Sequence, residues 1–130
     1  MYGRGAILRV DLTNERVTKE PIPSELCQKY LGGEGINAWL LWQHFLTVDP
    51  KISPLNPDNV LIIGMGPLGA TGLGLGSKTK WTFKSPLTKI YGDTTCGGLL
   101  GCHLRWSGMT MWLLQAEPGI LSICGSMMTQ

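Results

Sequence analysis

Between Gly64 and Gly76 the sequence places six glycines in thirteen residues (Gly64, Gly66, Gly69, Gly72, Gly74, Gly76). Glycine admits backbone angles closed to other residues and lets main chain come close to another surface. A run this dense forms neither a helix nor a long regular strand. Tight turns between strands, or a loop packed against a ligand, must account for it. The run leads into TKWTFKSPLT and then TTCGGLLG, and the rest of the chain is organised around this stretch, Gly64 to Gly108.

The chain has 130 residues, enough for one domain or part of a larger one. Its 43% hydrophobic and 15% charged residues suit a packed core and exclude disorder. A formal charge of +2 without a basic block gives no case for nucleic acid. No apolar run approaches the roughly 18 residues needed to span a bilayer. Met1-Tyr2-Gly3-Arg4 runs straight into a strand pattern with no signal peptide, so a cytoplasmic protein is expected. Cys27, Cys96, Cys102 and Cys124 contain no C-x-x-C pair, which argues against a closed zinc site or a complete iron–sulfur site within the chain. Reduced, mostly buried thiols are expected, with one cluster or metal ligand among them left open.

Ala6–Leu12 alternates as a strand with Leu8, Val10 and Leu12 on one face, and Arg16–Glu20 returns as a hairpin. Ser24 is placed to cap a short helix through Tyr30, which Gly32-Gly33 ends. A second helix runs from Ile36 to about Leu46, opened by Glu34-Gly35. Its apolar residues wrap most of the circumference, which predicts burial between layers, with Trp39 and Trp42 in the core. His44 reads as a surface or capping residue. The segment from Val48 to Asn59 is a proline-rich loop, and Val60–Ile63 is a strand covered on both faces.

Gly64-Met65-Gly66-Pro67-Leu68-Gly69 matches G-x-G-x-x-G after a strand, the dinucleotide fingerprint. That motif needs a helix opening at its glycines, and residues 70–76 are too glycine-rich to form one. Lys89 stands where an acidic ribose ligand belongs. A P-loop fails as well, because Gly76-Ser77-Lys78-Thr79 carries an extra residue before the lysine. Lys78, Lys80 and Lys84 alternate with Thr79, Trp81 and Phe83, a strand with one basic face that is either solvated or turned to an anion. Ile90–Asp93 is a short strand. Thr95 can cap a helix from about Leu99 to Trp106, and Gly97-Gly98 before it leave N–H groups for a phosphate.

These segments resemble a known family. MYGRGAILRVDLT, KYLGGEGINAWLLW, SPLNPDNVLIIGMGPLGATG, TKWTFKSPLT and CGGLLGCHLRWSG, in this order, look like the N-terminal domain of the aldehyde ferredoxin oxidoreductases, covering Met1 to about Gly108. Those are tungsten or molybdenum enzymes with a bis-pterin cofactor whose phosphates are bridged by magnesium. The resemblance implies a domain on which the pterins lie. Lys78 takes the place of an arginine near the pterin, keeping the charge and losing the bidentate fork. Thr95 takes the place of an asparagine whose main-chain carbonyl helps hold the magnesium. Cys96, Gly97 and Gly98 lie against the cofactor. The implied reaction is aldehyde oxidation to a carboxylic acid, with electrons passing through a 4Fe-4S cluster to ferredoxin. The family's cluster cysteines and acid–base residues lie in later domains, so no catalytic residue is assigned.

From Met109 the resemblance stops where the family continues with a Tyr-Asp-x-Val-Val strand. Four of the six methionines follow Gly108. Met109-Thr110-Met111-Trp112 is ATG-ACN-ATG-TGG. Read one nucleotide earlier it gives one of Tyr, His, Asn or Asp, then Asp, one of the same four, then Val, with a following codon that allows Val. This predicts that residues 109–130 are an out-of-frame tail on a domain ending at Gly108. The loss of that strand would leave the core incomplete and an edge open.

The expected fold is α+β, antiparallel sheets with two or three packed helices. The first functional reading is the cofactor-binding part of a tungsto- or molybdopterin oxidoreductase, without turnover alone. The second is a stand-alone pterin-binding or assembly module that docks on a separate catalytic subunit. A nucleotide-binding α/β protein is a third, which a helix starting at Gly69 would favour. No nucleic-acid or membrane partner is expected.

Overall fold

The computed structural model describes residues 5–72 and 76–115. Along the chain they form β1 (Ala6–Asp11), β2 (Arg16–Pro21), α1 (Ser24–Tyr30), α2 (Glu34–Thr47), β3 (Val60–Met65), β4 (Thr79–Lys84), β5 (Tyr91–Cys96), α3 (Leu100–Trp106) and β6 (Met111–Gln115). The six strands make one sheet in the order β2-β1-β6-β3-β4-β5. Every adjacent pair is antiparallel except β1 and β6, which run parallel. The α+β expectation holds, with one mixed sheet in place of several antiparallel ones.

Strand alternation sends successive side chains to opposite faces. On one face Ile7, Val60, Ile62, Met111 and Leu113 pack with Leu26, Cys27, Ile36, Leu40 and Leu41 of α1 and α2 to form the core. Burial of such side chains is worth roughly 1.5–3 kcal/mol each before the entropy of ordering them is counted. The other face carries Leu8, Leu61, Trp81, Phe83, Trp112 and Leu114, all half-buried. The short helix α3 packs at one end of that face, bringing Gly101 against Thr79 and Met65.

The strand expected to be missing is present. Met111–Gln115 lies in the middle of the sheet, paired with β1 on one side and β3 on the other. Met111 and Leu113 are buried in the core. No edge opens there, because an apolar run of the right length follows Gly108 and fills the slot. Of the segment 109–130, residues 116–130, which include Cys124 and Met127, lie outside the described residues.

Helix α2 differs from expectation in a second way. Its apolar residues do not all face protein: Trp42 is 65% and Leu46 63% exposed, while Trp39 is half-buried against Tyr30. Among the described residues one layer covers this helix, not two. Ser24 is the first residue of α1 and Pro23 its cap, without a side-chain cap bond. His44 donates from Nε2 to the Asp58 carbonyl oxygen, 2.6 Å away, tying the end of α2 to the loop before β3. Residues 67–70 form a turn and no helix opens at Gly69, so the dinucleotide reading has no structural support.

The β1–β2 hairpin is closed by Asp11. Its carboxylate accepts hydrogen bonds from the Thr13 and Asn14 backbone N–H groups and from the Asn14 side chain. Those bonds favour the ionised form and hold the Asp11 carboxyl below its ordinary value.

Candidate functional site

Three lysines were candidates for an anion-facing role, and the fold separates them. Lys84 is buried, and its ammonium donates to the carbonyl oxygens of Pro50 (2.5 Å) and Ile52 (2.8 Å) beside the Phe45 ring. It pins the proline-rich loop to β4 and does not face a ligand. Lys80 is held between two carboxylates, Asp93 at 2.6 Å and Glu34 at 2.9 Å. The hydrogen bonds to Asp93 and then Glu34 raise its pKa. This joins β4, β5 and the first turn of α2. The bonds to Lys80 contribute stability below its ordinary pKa of 10.5, which is lost as pH rises through the higher folded value. Lys78, just before β4, is exposed and has no ion-pair partner among the described residues. Of the three it is the one free to meet an anion.

The glycines separate in the same way. A methyl group at Gly64 would overlap the Asn37 side-chain oxygen and lie 3.0 Å from Met111 Cε. Gly64 therefore lets α2 approach the sheet. Asn37 is fully buried and donates from Nδ2 to the Lys80 carbonyl oxygen and Thr82 Oγ1, both at 3.2 Å. Gly69 and Gly101 close against Met65, and Gly33 against the Gly66 backbone. Within the glycine-rich stretch Gly64, Gly69 and Gly76 are packing positions, whereas a methyl group at Gly66 or Gly72 would meet nothing within 4 Å. Gly97 and Gly98 are open in the same way. Gly98 also has φ of 105°, which favours glycine.

These open positions adjoin the free lysine. Strands β4 and β5 pair with Thr79 opposite Cys96 and Lys80 opposite Thr95. Lys78 and Gly97 are the next residues beyond that ladder, at the same end of the sheet. Lys78, Thr95, Cys96, Gly97 and Gly98 therefore gather at one corner, all exposed. Cys96 Sγ donates to the Gly97 carbonyl oxygen at 3.2 Å. Cys27 and Cys102 are buried free thiols, as expected for most of the cysteines.

Two details of the corner differ from expectation. Thr95 lies within β5 and does not cap α3, whose cap is Leu99 and which has no side-chain cap bond. Helix α3 begins at Leu100 and has seven residues. Its dipole adds little, and what the corner offers an anion is open backbone plus one lysine. Sequence reasoning missed Asn37, Glu34 and Asp93. A signal for Asn37 was present: one amide among the apolar residues of α2, one residue from Ile36 and three from Leu40. Glu34 and Asp93 carried none, because their link to Lys80 exists only once three elements assemble. Among the described residues no three His, Cys, Asp or Glu side chains gather as a metal site. No helix among them is long and apolar enough to cross a membrane.

Comparison with known proteins bears on this arrangement. The family model described as aldehyde ferredoxin oxidoreductase, N-terminal domain, matches residues 7–122. That match runs past Gly108 and takes in β6. The chain is 37% identical over 109 residues to a tungsten-containing aldehyde ferredoxin oxidoreductase of Pyrococcus furiosus, covering 83% of this chain and 18% of the relative. It is 38% identical over 118 residues to the protein of the same name from Thermococcus kodakarensis, covering 90% and 19%. Among solved structures, a chain of the active site complex BamBC of benzoyl coenzyme A reductase, bound to 1,5-dienoyl-CoA, superposes with a TM-score of 0.81 at 30% identity, covering 88% of this chain and 17% of that one. The chain spans less than a fifth of the length of each of these proteins.

Proposed function

Because the chain belongs to the aldehyde ferredoxin oxidoreductase family, whose N-terminal domain it matches over most of its length, we propose that it is the cofactor-holding part of a tungsten- or molybdenum–pterin oxidoreductase. The observation that carries the reading is the corner: the uncommitted Lys78 stands beside two glycines with open space before them. Such a corner fits a phosphorylated cofactor, because free backbone N–H groups and one cation answer phosphate oxygens. Lys78 would supply the charge, Gly97 and Gly98 close backbone approach, and Cys96 the adjoining surface. The Thr95 main-chain carbonyl would help hold a magnesium ion accompanying the cofactor. When bound, the group supplies two-electron chemistry for oxidising aldehydes to carboxylic acids, with electrons leaving through a 4Fe-4S cluster to ferredoxin. The catalytic and cluster residues belong to the further length of the relatives, and this chain alone holds the cofactor from one side without turnover. A cytoplasmic setting accords with this reading.

A second reading has its own support. The solved neighbour belongs to a complex named for two components, so a module of this size could dock on a separate catalytic subunit and bring the pterin or assist its insertion.

Against a family match that runs on to residue 122, we further propose that the domain proper ends at Gly108 and that the residues from Met109 come from a neighbouring reading frame. The presence of β6 is compatible with this. Trp112-Leu113 in one frame and Val-Val in the other are both apolar, so either frame supplies a strand.

The deciding experiment expresses the chain alone and joined to the remaining length of a relative, in a host that makes the pterin, and measures metal and pterin per protein. The joined form should carry cofactor and lose most of it with Lys78→Ala. Tight binding by the short form alone would show that later residues are not needed. Unchanged content in Lys78→Ala would remove the corner from the site.

A further inference from the structure

The far end of β4 from Lys78 carries a feature that the cofactor reading does not use. A groove of about 370 Å³ is lined by Leu61, Phe83 and Leu114 of the half-buried sheet face and by Pro54, Leu55 and Pro86 of the adjoining loops. Around it Leu55 is 71% exposed, Leu87, next to Pro86, 90%, and Ile90, at the base of the same turn, 66%. An isolated exposed leucine needs no explanation, but a contiguous set around an apolar groove marks a contact surface.

The chain path indicates what occupies it. Leu114 lines the groove, and β6 ends at the next residue, Gln115. The family match continues beyond the strand, to residue 122. The relatives are more than five times as long as the part they share with this chain. In this chain the last described strand ends beside this groove. We propose that the groove and its Leu55–Leu87–Ile90 rim are the seat for an apolar face of the polypeptide that follows this domain in its longer relatives, and that this chain accepts that polypeptide when it is supplied as a separate molecule. The proposal rests on family membership and not on the pterin site, which lies at the opposite end of β4.

The test co-expresses the tagged 130-residue chain with the part of the Thermococcus kodakarensis relative that follows its matched segment, and measures how much copurifies. Leu55→Asp with Leu87→Asp removes the rim, and circular dichroism melting checks that this variant still folds. The account expects near-equimolar copurification with the unmodified chain and a loss of about tenfold or more with the rim variant. Copurification should be the same from a host that does not make the pterin, which separates this proposal from the cofactor reading. Absence of copurification, equal copurification with the folded rim variant, or self-association of the chain abolished by Leu87→Asp would each overturn it.

Discussion

Substituting Gly64 by alanine tests the division of glycines most sharply. The new methyl group would overlap the Asn37 side-chain oxygen and crowd Met111 Cε at 3.0 Å. Helix α2 cannot retreat without withdrawing Asn37, whose Nδ2 donates to the Lys80 carbonyl oxygen and Thr82 Oγ1 inside the protein. Overpacking of a tight site costs about 1–3 kcal/mol. A buried polar group left unpaired costs about 1–3 kcal/mol more. The sum, roughly 2–6 kcal/mol, is a large share of the 5–15 kcal/mol typical of a whole domain. Urea unfolding should show a lower midpoint with little change in slope. Gly97→Ala is the control: its methyl group enters open space and should shift stability by no more than about 0.5 kcal/mol. Adding Asn37→Ala to Gly64→Ala should relieve part of the clash, so the double variant loses less than the sum of the singles. A Gly64→Ala protein within about 0.5 kcal/mol of the unmodified chain would refute the reasoning, as would equal losses at Gly64 and Gly97.

Lys84→Met strips the Pro50 and Ile52 carbonyl oxygens of their donor and should cost about 2–3 kcal/mol, with faster proteolysis within residues 50–59; unchanged proteolysis would contradict the pinning role. Asp11 is held below its ordinary value of 3.8 by the bonds that close the hairpin. Its contribution is present above that value and lost as pH falls through the lower folded value, so Asp11→Asn should flatten the acid limb of melting temperature against pH, and an unchanged limb would refute this. The gene, read one nucleotide earlier from the Met109 codon, should continue as Tyr-Asp-x-Val-Val, and a stop codon or loss of that pattern ends the frame proposal.

Much of the fold was legible because the pattern is local. The hairpin, both central helices and strand β3 follow from alternation, glycine stops and a covered apolar run. Features set by assembly were not legible. The exposure of Trp42 and Leu46 depends on how many layers the domain has, which helix periodicity does not encode. The three lysines look alike in sequence, and only the partners delivered by α2, β5 and the proline-rich loop distinguish them. The glycine-rich stretch left tight turns and a ligand-facing loop both open. It combines packing positions such as Gly64 with open ones such as Gly72, and only the distances to neighbours tell them apart. The family resemblance named Lys78 and Thr95–Gly98 together, and the β4–β5 register puts them at one end of the sheet.

The central claim is that the corner of Lys78, Gly97 and Gly98 meets phosphate. Amide chemical shifts of the isotopically labelled chain during titration with inorganic pyrophosphate test it directly. Saturable shifts centred on Lys78, Gly97 and Gly98, weakened in Lys78→Ala, are the predicted result. Shifts confined to another part of the molecule, or a Lys78→Ala titration indistinguishable from that of the unmodified chain, would contradict it.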